Sequence, residues 1–270
     1  MAFPKLIAVD LDGTFFDKHQ QVNAHKFTKL LDYLDERDYH FVAATGNGRT
    51  TVDNFLAPFV GRFDYVVQNG GQVVTKDNKE LALHSLSREH MEIAMKAVAE
   101  SPLSPGHGNV YSTANNGYMM RSDKGQGELY HYMEIEFPNL MFIDSLDEIT
   151  EPVLKIIVNW PEEHAEAFMA QLNRELAGTA HVTTSGFGMI DIVAPNINKA
   201  VGLQELGAYY GIEPAEMAAF GDGGNDIEML RLVGHPFAMT NAAQPLLDEF
   251  PPTVSDNNHD GVLDTIGTWQ

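Results

Sequence analysis

The chain has 270 residues, with 38 acidic against 17 basic, a formal net charge of −21, 44% hydrophobic residues and no cysteine. That length fits one large domain or two ordinary ones. Such an acidic surface repels nucleic acid and anionic membrane, and the missing thiols exclude disulfides, thiol catalysis and cysteine-bound zinc. No apolar run approaches the ~18 residues of a membrane span. The segment Met1–Lys5 ahead of the first apolar run is too short and too soon charged for a signal peptide. A cytoplasmic protein, monomeric or weakly dimeric, is expected.

The first element is Leu6-Ile7-Ala8-Val9, an apolar run that reads as a strand buried on both faces. It ends in Asp10-Leu11-Asp12-Gly13-Thr14, two carboxylates one residue apart and a glycine that lets the backbone turn. Asn23 can cap a helix to about Glu36, with Phe27, Leu30, Leu31 and Leu34 along one face. A second strand, Tyr39–Ala44, exits into Thr45-Gly46-Asn47-Gly48. A helix over about Arg49–Ala57 and a strand at Tyr65–Val67 follow, the latter ending at Gln68-Asn69-Gly70-Gly71. Repeated strand-to-polar-exit units predict a doubly wound parallel sheet of the α/β class.

The rhythm then changes. Gln72–Thr75 and Glu80–His84 read as a hairpin, and Ser87 starts a helix to about Glu100. A Pro/Gly-rich loop, Pro102–Gly108, is followed by hairpin-like strands at Val110–Thr113, Gly117–Arg121, Val153–Trp160 and His181–Thr184. Helices over about Gly127–Glu134 and Pro161–Leu176 alternate with them. This stretch, residues 83–188, is α+β in character and reads as a module inserted into the first domain.

The doubly wound pattern is expected to resume at Met189–Val193, so that residues 1–82 and 189–270 form the first domain. Asn198-Lys199 opens a helix to about Tyr210. The short strand Met217–Phe220 feeds Gly221-Asp222-Gly223-Gly224-Asn225-Asp226, and Ile227–Val233 is helical. A strand at Pro236–Met239 and a weak one at Thr253-Val254 complete the sheet. Two connections between the domains allow hinge closure, which would exclude water from a reactive intermediate.

Ligands in parallel α/β sheets bind at the carboxyl ends of the strands. Asp10/Asp12, Thr45-Gly46-Asn47, Lys199 and Asp222/Asn225/Asp226 all converge there if the sheet is parallel. Carboxylates without histidine or cysteine suit Mg²⁺ rather than zinc. A lysine, a threonine hydroxyl and glycine-exposed amides suit a phosphate. One carboxylate facing that phosphate can act as nucleophile, and a second can move the proton. Each group alone has a plainer reading: a solvated loop acid, an ordinary helix cap, a surface lysine, an acid complementing a helix dipole. The 11 histidines show no ligand spacing, and His107, His131, His164 and His181 read as surface or satisfied structural residues. Phe187, between two glycines, reads as a packed hairpin residue or one that touches substrate from the hinge side.

Asp10-Leu11-Asp12-Gly13-Thr14, Thr45-Gly46, Lys199 and Gly221-Asp222-Gly223-Gly224-Asn225-Asp226 resemble, in order, the four motifs of the haloacid dehalogenase-like phosphatases. The insertion between the second and third falls where the Cof-type subfamily carries its α/β cap. Gln68–Gly71, Thr184–Gly188, Ala238–Ala242 and Asn257–Gly261 also resemble that subfamily, most closely its bacterial sugar phosphatases. The resemblance implies that Asp10 is the nucleophile and a Mg²⁺ ligand. Asp12 would be the general acid/base, its carbonyl a second ligand, and Asp222 a third. It also implies that Thr45, Gly46, Asn47, Lys199, Asn225 and the Leu11 amide hold phosphate or substrate, and that Asp226 supports the metal or orients Lys199. Many relatives carry arginine where this chain has Asn47, a departure that bears on substrate rather than mechanism. The implied activity is Mg²⁺-dependent hydrolysis of small phosphate monoesters through an aspartyl-phosphate, on a small phosphorylated metabolite. A sugar phosphomutase or phosphotransferase, and a non-catalytic sensor of phosphorylated metabolites, are the alternatives.

Overall fold

The computed structural model describes residues 3–101, 108–126, 130, 131, 133, 134, 137, 140–160, 162–186 and 188–269. His107, Phe187, most of the loop 102–108 and part of the helix expected over 127–134 lie outside the described residues. The strands are β1 (Leu6–Val9), β2 (His40–Ala44), β3 (Asp64–Val67), β4 (Gln72–Val74), β5 (Glu80–Leu83), β6 (Val110–Ser112), β7 (Gly117–Met120), β8 (Met141–Ile143), β9 (Lys155–Asn159), β10 (His181–Gly186), β11 (Met189–Val193), β12 (Met217–Gly221) and β13 (His235–Ala238). The helices whose bounds lie among the described residues are α1 (Ala24–Asp35), α2 (Arg49–Phe55), α3 (Arg88–Glu100), α4 (Glu162–Glu175), α5 (Lys199–Tyr210), α6 (Ile227–Leu232), α7 (Gln244–Glu249) and α8 (Gly261–Gly267). Among the described residues no helix is long and apolar enough to cross a membrane.

The chain forms two compact units, Met1–Ala82 with Asn198–Gln270, and Leu83–Ile197. The first holds a seven-stranded sheet in the order β13-β12-β1-β2-β3-β4-β5. β1 lies parallel between β12 and β2, with Val9 level with Phe220 on one side and Ala43 on the other. The chain steps from β1 to β2 and β3 in one direction, and β12 and β13 later fill the other. The carboxyl end of β1 is therefore the switch point where such sheets open a crevice. β1, β2, β3 and β12 are buried along their whole length, as the apolar runs require of strands covered on both faces. α1 covers the sheet with Phe27, Leu30, Leu31 and Leu34. Its first turn is capped by Asn23, whose side chain accepts from the Lys26 N–H.

The second unit holds a six-stranded sheet in the order β10-β11-β9-β6-β7-β8. All its pairings are antiparallel except β7 with β8. Alternate residues sort onto two faces. Tyr111, Ile156, Val158, Ile190 and Ile192 pack with Met91, Ala94 and Val98 of α3 and with Phe168 and Leu172 of α4, while Val110, Met119 and Ile157 belong to a separate cluster with Tyr130 and Met133.

The expected domain boundary is corrected here. Met189–Val193 does not return to the parallel sheet. It is β11, paired antiparallel with β10 and with β9, so the first unit resumes at Asn198 rather than residue 189. The physical reason is spacing: β10 ends at Gly186 and β11 begins at Met189, and strands that close in sequence can pair only as antiparallel neighbours. The expected Thr253-Val254 strand is also absent, reduced to a single bridge between Ala238 and Pro252.

Candidate active site

The site begins with the residue after β1. Asp10 follows Val9 directly, is almost wholly buried, and stays extended before the chain winds through one wide turn, Leu11–Phe15. The Leu11 side chain is buried, and its carbonyl closes the turn by accepting from the Phe16 N–H (2.9 Å). Gly13 takes φ +77° in that turn, and a Cβ there would collide with the Asp222 carboxylate. Close approach of the first and fourth motifs therefore requires glycine at this position. Two asparagines brace the turn from outside: Asn241 Nδ2 donates to the Gly13 carbonyl (2.8 Å) and Asn257 Nδ2 to the Phe16 carbonyl (2.8 Å).

Lys199 is the first residue of α5, whose start is capped by Asn198 through the Val201 N–H (3.1 Å). Its side chain is fully buried and donates to Asp10 Oδ1 and Asp226 Oδ1, each at 2.7 Å. Asp226 Oδ2 accepts from the Asp222 and Gly223 N–H groups, both at 3.0 Å. Both Asp226 oxygens are thus engaged, one holding the lysine and the other folding the loop after β12. Asp222, half-buried, accepts from the Thr14 hydroxyl (2.8 Å). One carboxylate oxygen from each of Asp10, Asp222 and Asp226 lies within 4.8 Å of the others.

Asp12 projects into solvent and accepts from Asn47 Nδ2 (2.7 Å). Thr45, buried at the end of β2, accepts the Asn47 N–H (3.1 Å). Gly46 is buried beside it. Asn225 is half-buried and donates from Nδ2 to Asn69 Oδ1 (3.1 Å). The first unit thus gathers every expected site residue at one sheet edge. Four partners were not anticipated: Asn69 on Asn225, Thr14 on Asp222, and Asn241 and Asn257 under the turn. Each stood inside a quoted motif, but its bond joins residues 156 or more positions apart.

The electrostatics follow from this crowding. Burial pushes the Asp10 carboxyl well above its ordinary range. Lys199 opposes the shift, and the charges on Asp226 and Asp222 reinforce it. Asp222 is pushed up to about 6, first by burial and then by the Asp226 charge, against the Thr14 hydrogen bond. The loops packed around Asp12 partly desolvate its carboxyl and raise it too, although its side chain reaches solvent, with the Asn47 hydrogen bond acting the other way. Burial alone would lower Lys199, but Asp10 and Asp226 more than offset it and hold the ammonium above its usual value. Three carboxylates against one ammonium leave a local excess of negative charge, and all the donors are oxygen. That is the environment a hard divalent cation neutralises.

A sheet that runs parallel from β13 to β3 and turns antiparallel at β4, and whose central strand delivers a buried carboxylate onto a lysine returned from far along the chain, is the arrangement of a phosphoryl-transfer hydrolase. The chain belongs to the haloacid dehalogenase-like hydrolases, whose family model matches residues 7–266, and it is a phosphatase of Cof type within them. It is similar to the 5-amino-6-(5-phospho-D-ribitylamino)uracil phosphatase YbjI of Escherichia coli (strain K12), at 30% identity over 263 residues, covering 97% of this chain and 94% of that one. The HMP-PP phosphatase of Cronobacter sakazakii (strain ATCC BAA-894) is 35% identical over 271 residues, covering 98% and 95%. Among solved structures, SMU.1108c from Streptococcus mutans UA159 superposes with a TM-score of 0.89 at 29% identity, over 98% of both chains.

Proposed function

We propose that the protein hydrolyses small phosphate monoesters, with sugar phosphates as the substrate class, through an aspartyl-phosphate on Asp10. The observation that carries this is the Lys199 clamp: it pins one oxygen of a buried carboxylate at a sheet switch point and fixes the direction of the other. In the first step the opposite Asp10 oxygen attacks phosphorus, and the bond to the leaving oxygen breaks. Asp12 donates its proton to that oxygen. The raised affinity of Asp12 for a proton favours this role, and Asn47 holds its carboxyl in one orientation. In the second step Asp12 takes a proton from water, the water oxygen attacks phosphorus, and the Asp10–phosphorus bond breaks to release phosphate. The Leu11 N–H, Thr45, Gly46, Lys199 and Asn225 are assigned to the phosphate oxygens.

The donor set fits Mg²⁺, which Asp10, the Asp12 carbonyl and Asp222 would hold. Asp226, with both oxygens already engaged, stands behind them. When bound, the cation supplies positive charge that offsets repulsion between carboxylate and phosphate.

The test is a panel of phosphorylated sugars, sugar alcohols, nucleotides and coenzymes, with phosphate release measured in Mg²⁺. The panel includes 5-amino-6-(5-phospho-D-ribitylamino)uracil, the compound in the name of the E. coli relative. Asp10→Asn is expected to lower turnover by about 10³-fold or more with the fold intact by circular dichroism. Substantial turnover by that variant would remove Asp10 as nucleophile. Isomerised sugar phosphate in place of free phosphate would instead mark a phosphomutase.

A further inference from the structure

The chain leaves β3 through three consecutive residues in the left-handed region: Gln68 (φ 54°), Asn69 (φ 54°) and Gly70 (φ 91°). A non-glycine residue there is uncommon, and a buried pair persists only where its surroundings over-determine it. The surroundings do so here. The Gln68 N–H donates to the Asn47 carbonyl and the Asn69 N–H to the Thr45 carbonyl, both at 3.0 Å. Gly70 lies so close to the Asn198 carbonyl that a Cβ would collide with it, and Asn198 caps the helix that begins at Lys199. From the middle of this turn the Asn69 side chain, only 1% exposed, accepts from Asn225 Nδ2 at 3.1 Å. One short turn therefore touches residues 45–47, 198 and 225, which come from the three segments assigned to the phosphate besides the Asp10 loop.

We infer that Asn69 is a positioning residue for the phosphate site: its Oδ1 orients the Asn225 amide toward the phosphate. The inference rests on the reading of Asn225 as a phosphate ligand. An amide nitrogen carries two hydrogens. Asn69 takes one, and the direction of that bond aims the other. A turn that needed only left-handed backbone would be met by glycine. What asparagine adds is a side-chain oxygen at the site, at the cost of strained φ.

Asn69→Gly and Asn69→Ala separate the two contributions. Both remove the oxygen, but only alanine keeps the backbone strain, so alanine should melt lower than glycine while the two share their kinetics. With p-nitrophenyl phosphate as substrate and inorganic phosphate as competitive inhibitor, Asn69→Gly is expected to raise KM and the phosphate Ki roughly three- to tenfold, the worth of one hydrogen bond, with kcat less affected. Asn225→Ala should raise both at least as much. The double variant Asn69→Gly/Asn225→Ala should be no worse than Asn225→Ala alone, because the two residues act as one unit. If Asn225→Ala weakens phosphate and Asn69→Gly does not, or if the two effects multiply in the double variant, the inference fails and the ligand role of Asn225 stands. If Asn225→Ala leaves Ki and KM unchanged, that ligand role fails and the inference with it. The aspartyl-phosphate reading is judged separately, by Asp10→Asn.

Discussion

Lys199→Met isolates the charge at the centre of the site. Lys199 is fully buried, so its four-carbon stem already fills core volume, and methionine replaces that stem with a flexible apolar chain of similar reach. What is lost is one ammonium and two 2.7 Å hydrogen bonds, to Asp10 and Asp226. Those two buried carboxylates then face each other without a cation. Removing one partner of a buried ion pair typically costs about 3–5 kcal/mol, and two stranded acids place this variant toward the upper end. The pH dependence has a definite sign. Without the ammonium, burial and the neighbouring Asp226 charge hold the Asp10 carboxyl above its unfolded value with nothing to oppose them, so the folded state binds more protons and stability falls as pH rises. The deficit should be largest near about pH 8 and shrink toward about pH 5. The two tryptophans provide the assay, since Trp160 lies in the second unit and Trp269 packs on Phe3, Phe220 and Phe237 of the first. In a Trp160→Phe background, urea titration in chelator followed by Trp269 fluorescence reports the first unit. A deficit below about 1 kcal/mol at the alkaline end, or one that grows on acidification, would refute a desolvated ion-pair core. Lys199→Met/Asp226→Asn should recover part of the loss.

The same sign applies to the metal-free wild type. Asp222 is held at about 6, above its unfolded 3.8, so the chelated protein should gain stability as pH falls through that window. Excess Mg²⁺ should stabilise it more above the window than below, which thermal melts at several pH values will read. Glu151 works the other way. Its carboxyl sits below the usual range, first through the Tyr118 hydroxyl (2.6 Å) and also through Asn116 (2.6 Å) and Thr113 (3.1 Å). Its contribution is present above the ordinary glutamate value and lost as pH falls through the depressed one, so Glu151→Gln should cost about 1 kcal/mol at neutral pH and little in acid, seen by Trp160 fluorescence. Gly13→Ala should lower stability by about 1–3 kcal/mol and reduce turnover, because its Cβ meets the Asp222 carboxylate; unchanged melting and kinetics would disprove that contact.

The site was more legible than the topology around it. Asp10, Thr45, Lys199 and Asp222 each stand at a strand exit or helix start, a local pattern that apolar runs and caps announce. The structure brings all four to one sheet edge. Met189–Val193 was legible as a strand but not as a member of a particular sheet. Two apolar residues stand on each side of Asp191, a run that would suit either sheet, and only its pairing with β9 and β10 assigns it to the inserted unit. β8, three residues long, and α7 and α8, of six and seven residues, are too short for periodicity to register. The bonds from Thr14 to Asp222 and from Asn225 to Asn69 were out of reach for a different reason: each depends on two loops meeting after the sheet has formed.

A chain with a net charge of −21 has to attract an anion against its own field. Lys199 alone is poorly suited to that task, because its ammonium is already shared between two carboxylates at equal distance. With Asp222 included, the buried cluster is negative before any phosphate arrives. The lysine can give a phosphate oxygen its third hydrogen, but most of its charge goes to letting Asp10 and Asp226 be buried side by side, which in turn fixes the direction of the attacking oxygen. The attraction for phosphate must come from elsewhere: from the proposed Mg²⁺, and from neutral donors such as Thr45, Asn225 and the amides at the strand exits. These add no charge to be desolvated and hold their geometry through neighbours such as Asn69. On this reading chelation removes most of the phosphate affinity together with turnover, while each neutral donor adds the smaller share of one hydrogen bond and fixes how the phosphate is oriented.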